Sequence, residues 1–148
     1  MQRKTPTPMQ RSPFTMPHGR SQHFANAYRQ VGVETGVSGA SPHRLVQMLF
    51  DGFIDALAQA RGAMRAGQIE QKGRAIGRAL RIVDEGLKAS LNIEAGGELA
   101  ADLNDLYAYT SVRLMKANRH NDEQALEECR RLIEPLREAW ARIGNAAP

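Results

Sequence analysis

The sequence predicts an all-α fold: an antiparallel up-and-down four-helix bundle with a short additional N-terminal helix. Three observations predict it. Four long segments carry apolar residues at the three- and four-residue spacing of a helix face. Short breaks containing Gly or Asn separate these segments, and short connections force neighbouring helices to run antiparallel. No stretch shows the two-residue alternation of a strand. The chain has 148 residues, 42% hydrophobic but only 5% aromatic, which is long enough for one domain with its own core.

Residues 1–20 contain Pro6, Pro8, Pro13 and Pro17, four basic residues and no acid. Such a segment cannot bury enough apolar surface to offset its ordering entropy, so it is expected to be a disordered, basic, Pro-rich tail. Residues 21–144 are expected to form the helical domain, and 145–148 a disordered C-terminus. Residues 21–30 can form a short helix with Phe24, Ala27, Tyr28 and Val31 on one side, although alone it is too short to persist in water. Residues 31–40, with three glycines, read as an irregular linker.

Ser41-Pro42 is an N-cap followed by a first-turn proline, so a helix is predicted from 42 to 66, stopped by Gly67. The next is predicted over 69–91, with a loop at 92–97. A third runs over 98–118. The fourth starts after Asn121, with Gln124 as a capping-box partner, and ends at 143 before Gly144. Pro135 inside it removes a backbone donor and predicts a kink. Gly73 and Gly77 lie four apart on one face of the second long helix. They fit either close packing inside the bundle or a shallow groove that receives a partner.

The last helix has one apolar stripe, through Cys129, Ile133, Leu136 and Trp140. The other three have more. The first long helix carries Val46, Phe50, Phe53 and Leu57, and beside them Leu45, Met48, Leu49 and Ala56. The third adds Ala108, Val112 and Met115 to Leu99, Leu103, Leu106 and Leu114. A bundle core uses about three residues in seven. The surplus needs cover, by the short helix or by an amphipathic partner helix in a groove, unless its small residues merely bring helices close.

The composition excludes several other roles. A single cysteine cannot make an intramolecular disulfide. No apolar run reaches the roughly 18 residues of a membrane span, and no signal-peptide core is visible, so the chain is expected in the cytoplasm without membrane insertion. The net charge of +4 resides in the tail, since the other 128 residues carry 16 basic and 16 acidic side chains. A folded nucleic-acid binder normally carries its basic surplus on the body, so no nucleic-acid partner is expected. His18, His23, His43 and His120 show no metal-ligand spacing, and neither a CxxC nor a P-loop is present, so no metal or cofactor is expected. Asp51/Asp55 and Asp102/Asp105 read as solvated faces. Cys129 lies on an apolar stripe and reads as a buried small hydrophobe. Catalysis is not expected.

Ala27-Tyr28, Val31-Gly32-Val33-Glu34, Ala40-Ser41-Pro42-His43 and Met48-Leu49-Phe50-Asp51-Gly52 resemble the opening of the flagellin-specific export chaperones, the FliS family. The resemblance continues in register through Lys72-Gly73, Gly97-Glu98-Leu99, Leu106-Tyr107-Ala108-Tyr109, Ala117-Asn118, Asn121-Asp122 and Ala139-Trp140, covering about residues 24–143. It departs at the tail, at Phe50, where a tyrosine is common, and at Phe53, where a small residue is. The resemblance implies a chaperone that holds the disordered C-terminal segment of flagellin, blocks premature polymerisation, and delivers the client to the export gate of the flagellar type III apparatus. It places client binding on Ala25 and Tyr28, flanked by Phe24 and Val31. The surplus stripe adds Leu45, Met48 and Leu49. Truncation of Tyr28 is then expected to weaken client binding without lowering the melting temperature.

Overall fold

The computed structural model describes residues 18–31 and 40–146, with side chains described from 19 to 144. Most of the tail expected at 1–20 and most of the linker expected at 31–40 lie outside the described residues, as do the last two residues. Five helices follow one another: α1 His18–Ala27, α2 Pro42–Arg65, α3 Ile69–Arg81, α4 Ile93–His120 and α5 Glu123–Ala146. α3 passes without a break into a π-helical segment, Ile82–Lys88. Among the described residues there is no strand.

The predicted punctuation holds at most ends. The Ser41 hydroxyl accepts from the Arg44 amide at 3.0 Å, and Pro42 opens α2. Gly67, at φ 71°, takes the left-handed conformation that turns the chain into α3. Gly97 marks a break where a helix start was predicted: with φ 62° and ψ −143° it interrupts α4 one turn in. The turn before it is capped by Asn92, whose side chain accepts from the Ala95 amide at 2.9 Å.

Asn121 is not the N-cap of the last helix. It closes α4 in the left-handed conformation, and the cap of α5 is Asp122, whose carboxylate accepts from the Ala125 amide. α5 continues through Pro135 and past the predicted stop at 143, to Ala146. α1 starts three residues before the predicted helix.

Cross-links between ends fix the antiparallel order. The start of α2 meets the end of α5 through His43 and Trp140. The end of α2 meets the start of α5 through Arg61, Arg65 and Glu123. The start of α3 meets the end of α4, where the buried Lys72 ammonium donates to Asn118 O at 2.9 Å and to the Asn121 side chain. α2 is thus flanked by α3 on one side and α5 on the other. The first stripes form the core: Val46, Phe50, Phe53 and Leu57 with Ile76, Val83, Leu87, Leu103, Leu114, Ile133 and Leu136. No described helix is long and apolar enough to cross a membrane.

Candidate functional site

α1 lies over one end of the bundle and faces inward. Phe24, Ala27, Tyr28 and Val31 are buried. The Phe24 ring sits 4.9 Å from Trp140 and the Tyr28 ring 5.6 Å from it, both edge-on, a favourable arrangement for aromatic quadrupoles. The Tyr28 hydroxyl donates to Leu87 O at 2.8 Å and accepts from the Tyr107 hydroxyl at 2.9 Å. Burial pushes the Tyr28 phenol well above its ordinary range and keeps it a neutral donor. The expectation that Tyr28 can be removed without loss of stability is therefore overturned. Its ring is core, and truncating a buried aromatic to alanine costs about 3–5 kcal/mol.

The seven residues expected to share one binding surface are divided by the fold. Phe24, Tyr28 and Val31 are inside. Ala25 is half-buried at a hollow of about 410 Å³ where α1, the start of α2 and the end of α5 converge; Tyr28, Pro42, His43, Trp140 and Ile143 also line it. His43 is held there on two sides. Its ring stacks on Trp140 at 5.0 Å, its Nε2–H donates to Trp140 O at 2.7 Å, and Trp140 Nε1 donates back to His43 O at 3.0 Å.

Leu45, Met48 and Leu49 lie further along α2, and Leu49 faces the π segment. Leu49 packs on Gly86, and one turn further Gly52 touches Ile82 and Arg78. Leu45 and Leu49 are half-buried, while Met48 is 50% exposed.

This α2–α3 seam opens toward its far end into a hollow of about 910 Å³, lined by Gly62, Gly73, Gly77, Arg74, Arg78 and Arg81 among others. Gly73 and Gly77 are not there for packing inside the bundle. A Cβ placed on Gly73 or Gly62 meets no atom within 4 Å, and one on Gly77 meets only Arg81 Nη1 at 3.9 Å. A helix-interior glycine costs about 1 kcal/mol relative to alanine. Nothing within the described chain offsets that here, which favours the groove over the close-packing alternative.

A second open strip lies on α4. Tyr109, Val112 and Met115 are 46–58% exposed, and the Tyr109 hydroxyl donates to Glu128 at 2.6 Å. The surplus stripe on this helix predicted Val112 and Met115. It missed Tyr109, whose polar tip lets it stand beside the α5 carboxylate.

Two of the groups weighed for catalysis are tied into the fold. Cys129 is buried and its thiol is pushed up to about 12 by desolvation, so it carries no thiolate at neutral pH. Asp51 pairs with Arg137 across to α5 at 2.9 Å. Among the described residues no three His, Cys, Asp or Glu side chains are grouped as a metal site.

Comparison with known proteins matches residues 24–147 to the family described as "Flagellar protein FliS". Similar curated proteins include the flagellar secretion chaperone FliS of Salmonella typhimurium, 48% identical over 82% of this chain and 90% of that one. The flagellar secretion chaperone FliSB of Pseudomonas aeruginosa is 46% identical over 80% of this chain and 93% of its own. The Bacillus subtilis FliS chaperone is 32% identical over 80% and 84%.

Proposed function

Because the chain belongs to the FliS family of flagellar proteins, we propose that it is a flagellar secretion chaperone that acts by binding, not catalysis. In this reading it holds the disordered C-terminal segment of newly made flagellin in the cytoplasm, prevents premature filament polymerisation, and hands the client to the flagellar type III export gate. The observation that carries the reading is the open half of the α2–α3 seam. Among the described residues, a Cβ on Gly62 or Gly73 there would meet no atom within 4 Å, and one on Gly77 only the far end of the Arg81 side chain. An incoming backbone can use such closeness, and a helix lying in a groove is the simplest one.

The mechanism is a balance of two large quantities. Ordering a disordered segment costs about 2–5 kcal/mol or more. Burial of the client's apolar side chains offsets it at about 25 cal/mol per Å². Met48, with the half-buried Leu45 and Leu49, offers apolar surface at the tight end of the seam. Arg74, Arg78 and Arg81 ring the open end and favour a client helix with acidic flanks. On the other flank of α2, the hollow beside Ala25 takes a second, shorter stretch of the client. Phe24, Tyr28 and Val31 act from inside, by holding α1 in place at that hollow.

Titration calorimetry with flagellin and with flagellin lacking its C-terminal segment tests the reading. We expect a 1:1 complex with the first and none with the second. In the Gly73→Leu/Gly77→Leu double variant the affinity should fall at least tenfold while thermal stability is kept. Undiminished affinity in that variant would move the client off this seam.

A further inference from the structure

The π segment after α3 does not close its own end. The Ala89 amide reaches back five residues to Asp84 O, the π pattern. After it the pattern fails. The Leu91 amide donates to Lys88 O at 3.2 Å, and the Asn92 amide leaves the helix and donates to Ala27 O, at the end of α1, at 2.8 Å. These are the amides four and five residues beyond Leu87, the two that would bond its carbonyl in an α- or a π-helix. Leu87 is fully buried, so an unpaired carbonyl there is costly.

The end of α1 and the residue after it supply both missing partners. Ala27 O accepts the Asn92 amide, and the Tyr28 hydroxyl donates to Leu87 O at 2.8 Å. The fit is steric as well. A Cβ on Gly96 would stand 2.8 Å from Ala27 Cβ and 3.0 Å from its Cα, so α1 can approach α4 only because residue 96 has no side chain. The same π segment carries Gly86, on which Leu49 rests. A change in its winding moves the tight end of the α2–α3 seam.

We propose that the docking of α1 and the π form of Ile82–Lys88 are a single two-state unit, so that the seat of α1 sets the shape of the α2–α3 seam. With α1 in place, the helix ends through Ala27 and Tyr28. With α1 lifted, the Asn92 amide returns to Leu87 O, the segment rewinds, and Gly86 turns against Leu49. The coupling is a property of the free chain; only its use, adapting the seam to a client, rests on the function proposed above.

Backbone NMR relaxation dispersion on the full chain, without any client, tests it. Three variants are compared with the parent. Tyr28→Phe keeps the ring and loses the donor to Leu87. Gly96→Ala presses on Ala27. Tyr107→Phe removes only the hydroxyl that donates to Tyr28. We expect residues of α1 and residues 82–92 to share one exchange rate. The minor population should rise roughly tenfold in Tyr28→Phe, about the effect of one lost buried hydrogen bond, should rise in Gly96→Ala as well, and should change least in Tyr107→Phe. Residues of α1 that respond while 82–92 stay still overturn the proposal, and so do different exchange rates for the two groups. Flagellin binding is not read, so its failure would leave this result standing.

Discussion

The two ends of the α2–α3 seam hold glycine for opposite reasons. At the end nearer α1, a Cβ on Gly86 would lie 2.8 Å from Leu49 Cδ2, and one on Gly52 would lie 3.3 Å from Ile82 Cδ1. Glycine there is the fit between two helices of the same chain. At the far end Gly62 and Gly73 face open space and Gly77 nearly so. Sequence alone does not separate the two groups, since each is a glycine inside an amphipathic helix. Their neighbours separate them. The first group fits helix against helix, and the second has no packing partner among the described residues.

The largest expected effect that tests this contrast is at the tight end. Gly86→Val places a branched side chain against Leu49 and should destabilise the protein by about 1–3 kcal/mol, the usual range for overpacking. Urea unfolding with an unchanged slope and a lower midpoint would show it. Loss of less than a few tenths of a kcal/mol would mean that Leu49 swings aside, and that this end is as open as the other.

At the open end the sign reverses. Gly73→Ala and Gly77→Ala should each stabilise by about 0.5–1 kcal/mol, because alanine restricts the unfolded chain and meets no obstruction in the folded one. The same unfolding experiment reads it as a higher midpoint. Destabilisation by either substitution would contradict the open space over these residues, and with it the argument that a partner uses it.

Much of this was legible in the sequence, for reasons that differ by element. Helix ends were readable where a cap is local. Ser41 with Pro42, and Gly67, act within a few residues of themselves, and the structure keeps them. Asn121 was misassigned because it faces two helices at once. Its left-handed backbone ends α4 and its side chain takes Lys72 from α3, a contact 49 residues away that no local pattern carries. The surplus apolar stripe correctly pointed at exposed Met48, Val112 and Met115. It could not say that α1 would turn Phe24, Tyr28 and Val31 inward, because that depends on Gly96 leaving room for Ala27. The π winding of 82–88 was unreadable for the same reason: its end is completed by α1, not by its own residues.

The smallest expected effect concerns the ion pairs that hold α2 to α5 beside the open end. Glu123 accepts from Arg65 and also from Arg61 at 2.7 Å, and these hydrogen bonds hold its carboxyl down to about 2, from an ordinary value near 4.5. A carboxyl whose pKa is lower in the folded state binds protons more readily when unfolded. Its stabilising contribution is therefore complete above pH 4.5 and lost as the pH falls toward 2. Glu127 and Glu128 are lowered in the same direction, by Arg130 and by Tyr109, so part of the acid sensitivity belongs to them. Glu123→Gln should thus reduce, without abolishing, the fall in melting temperature between pH 4.5 and 2.5. Salt should shrink the difference between the two proteins, because these side chains are in contact with solvent. Parallel melting curves across that range would assign the coupling of α2 to α5 at this end to apolar packing such as that of Leu57 beside Leu126. The open half of the seam would then border a wall held by apolar contact, with no charge network to stiffen it.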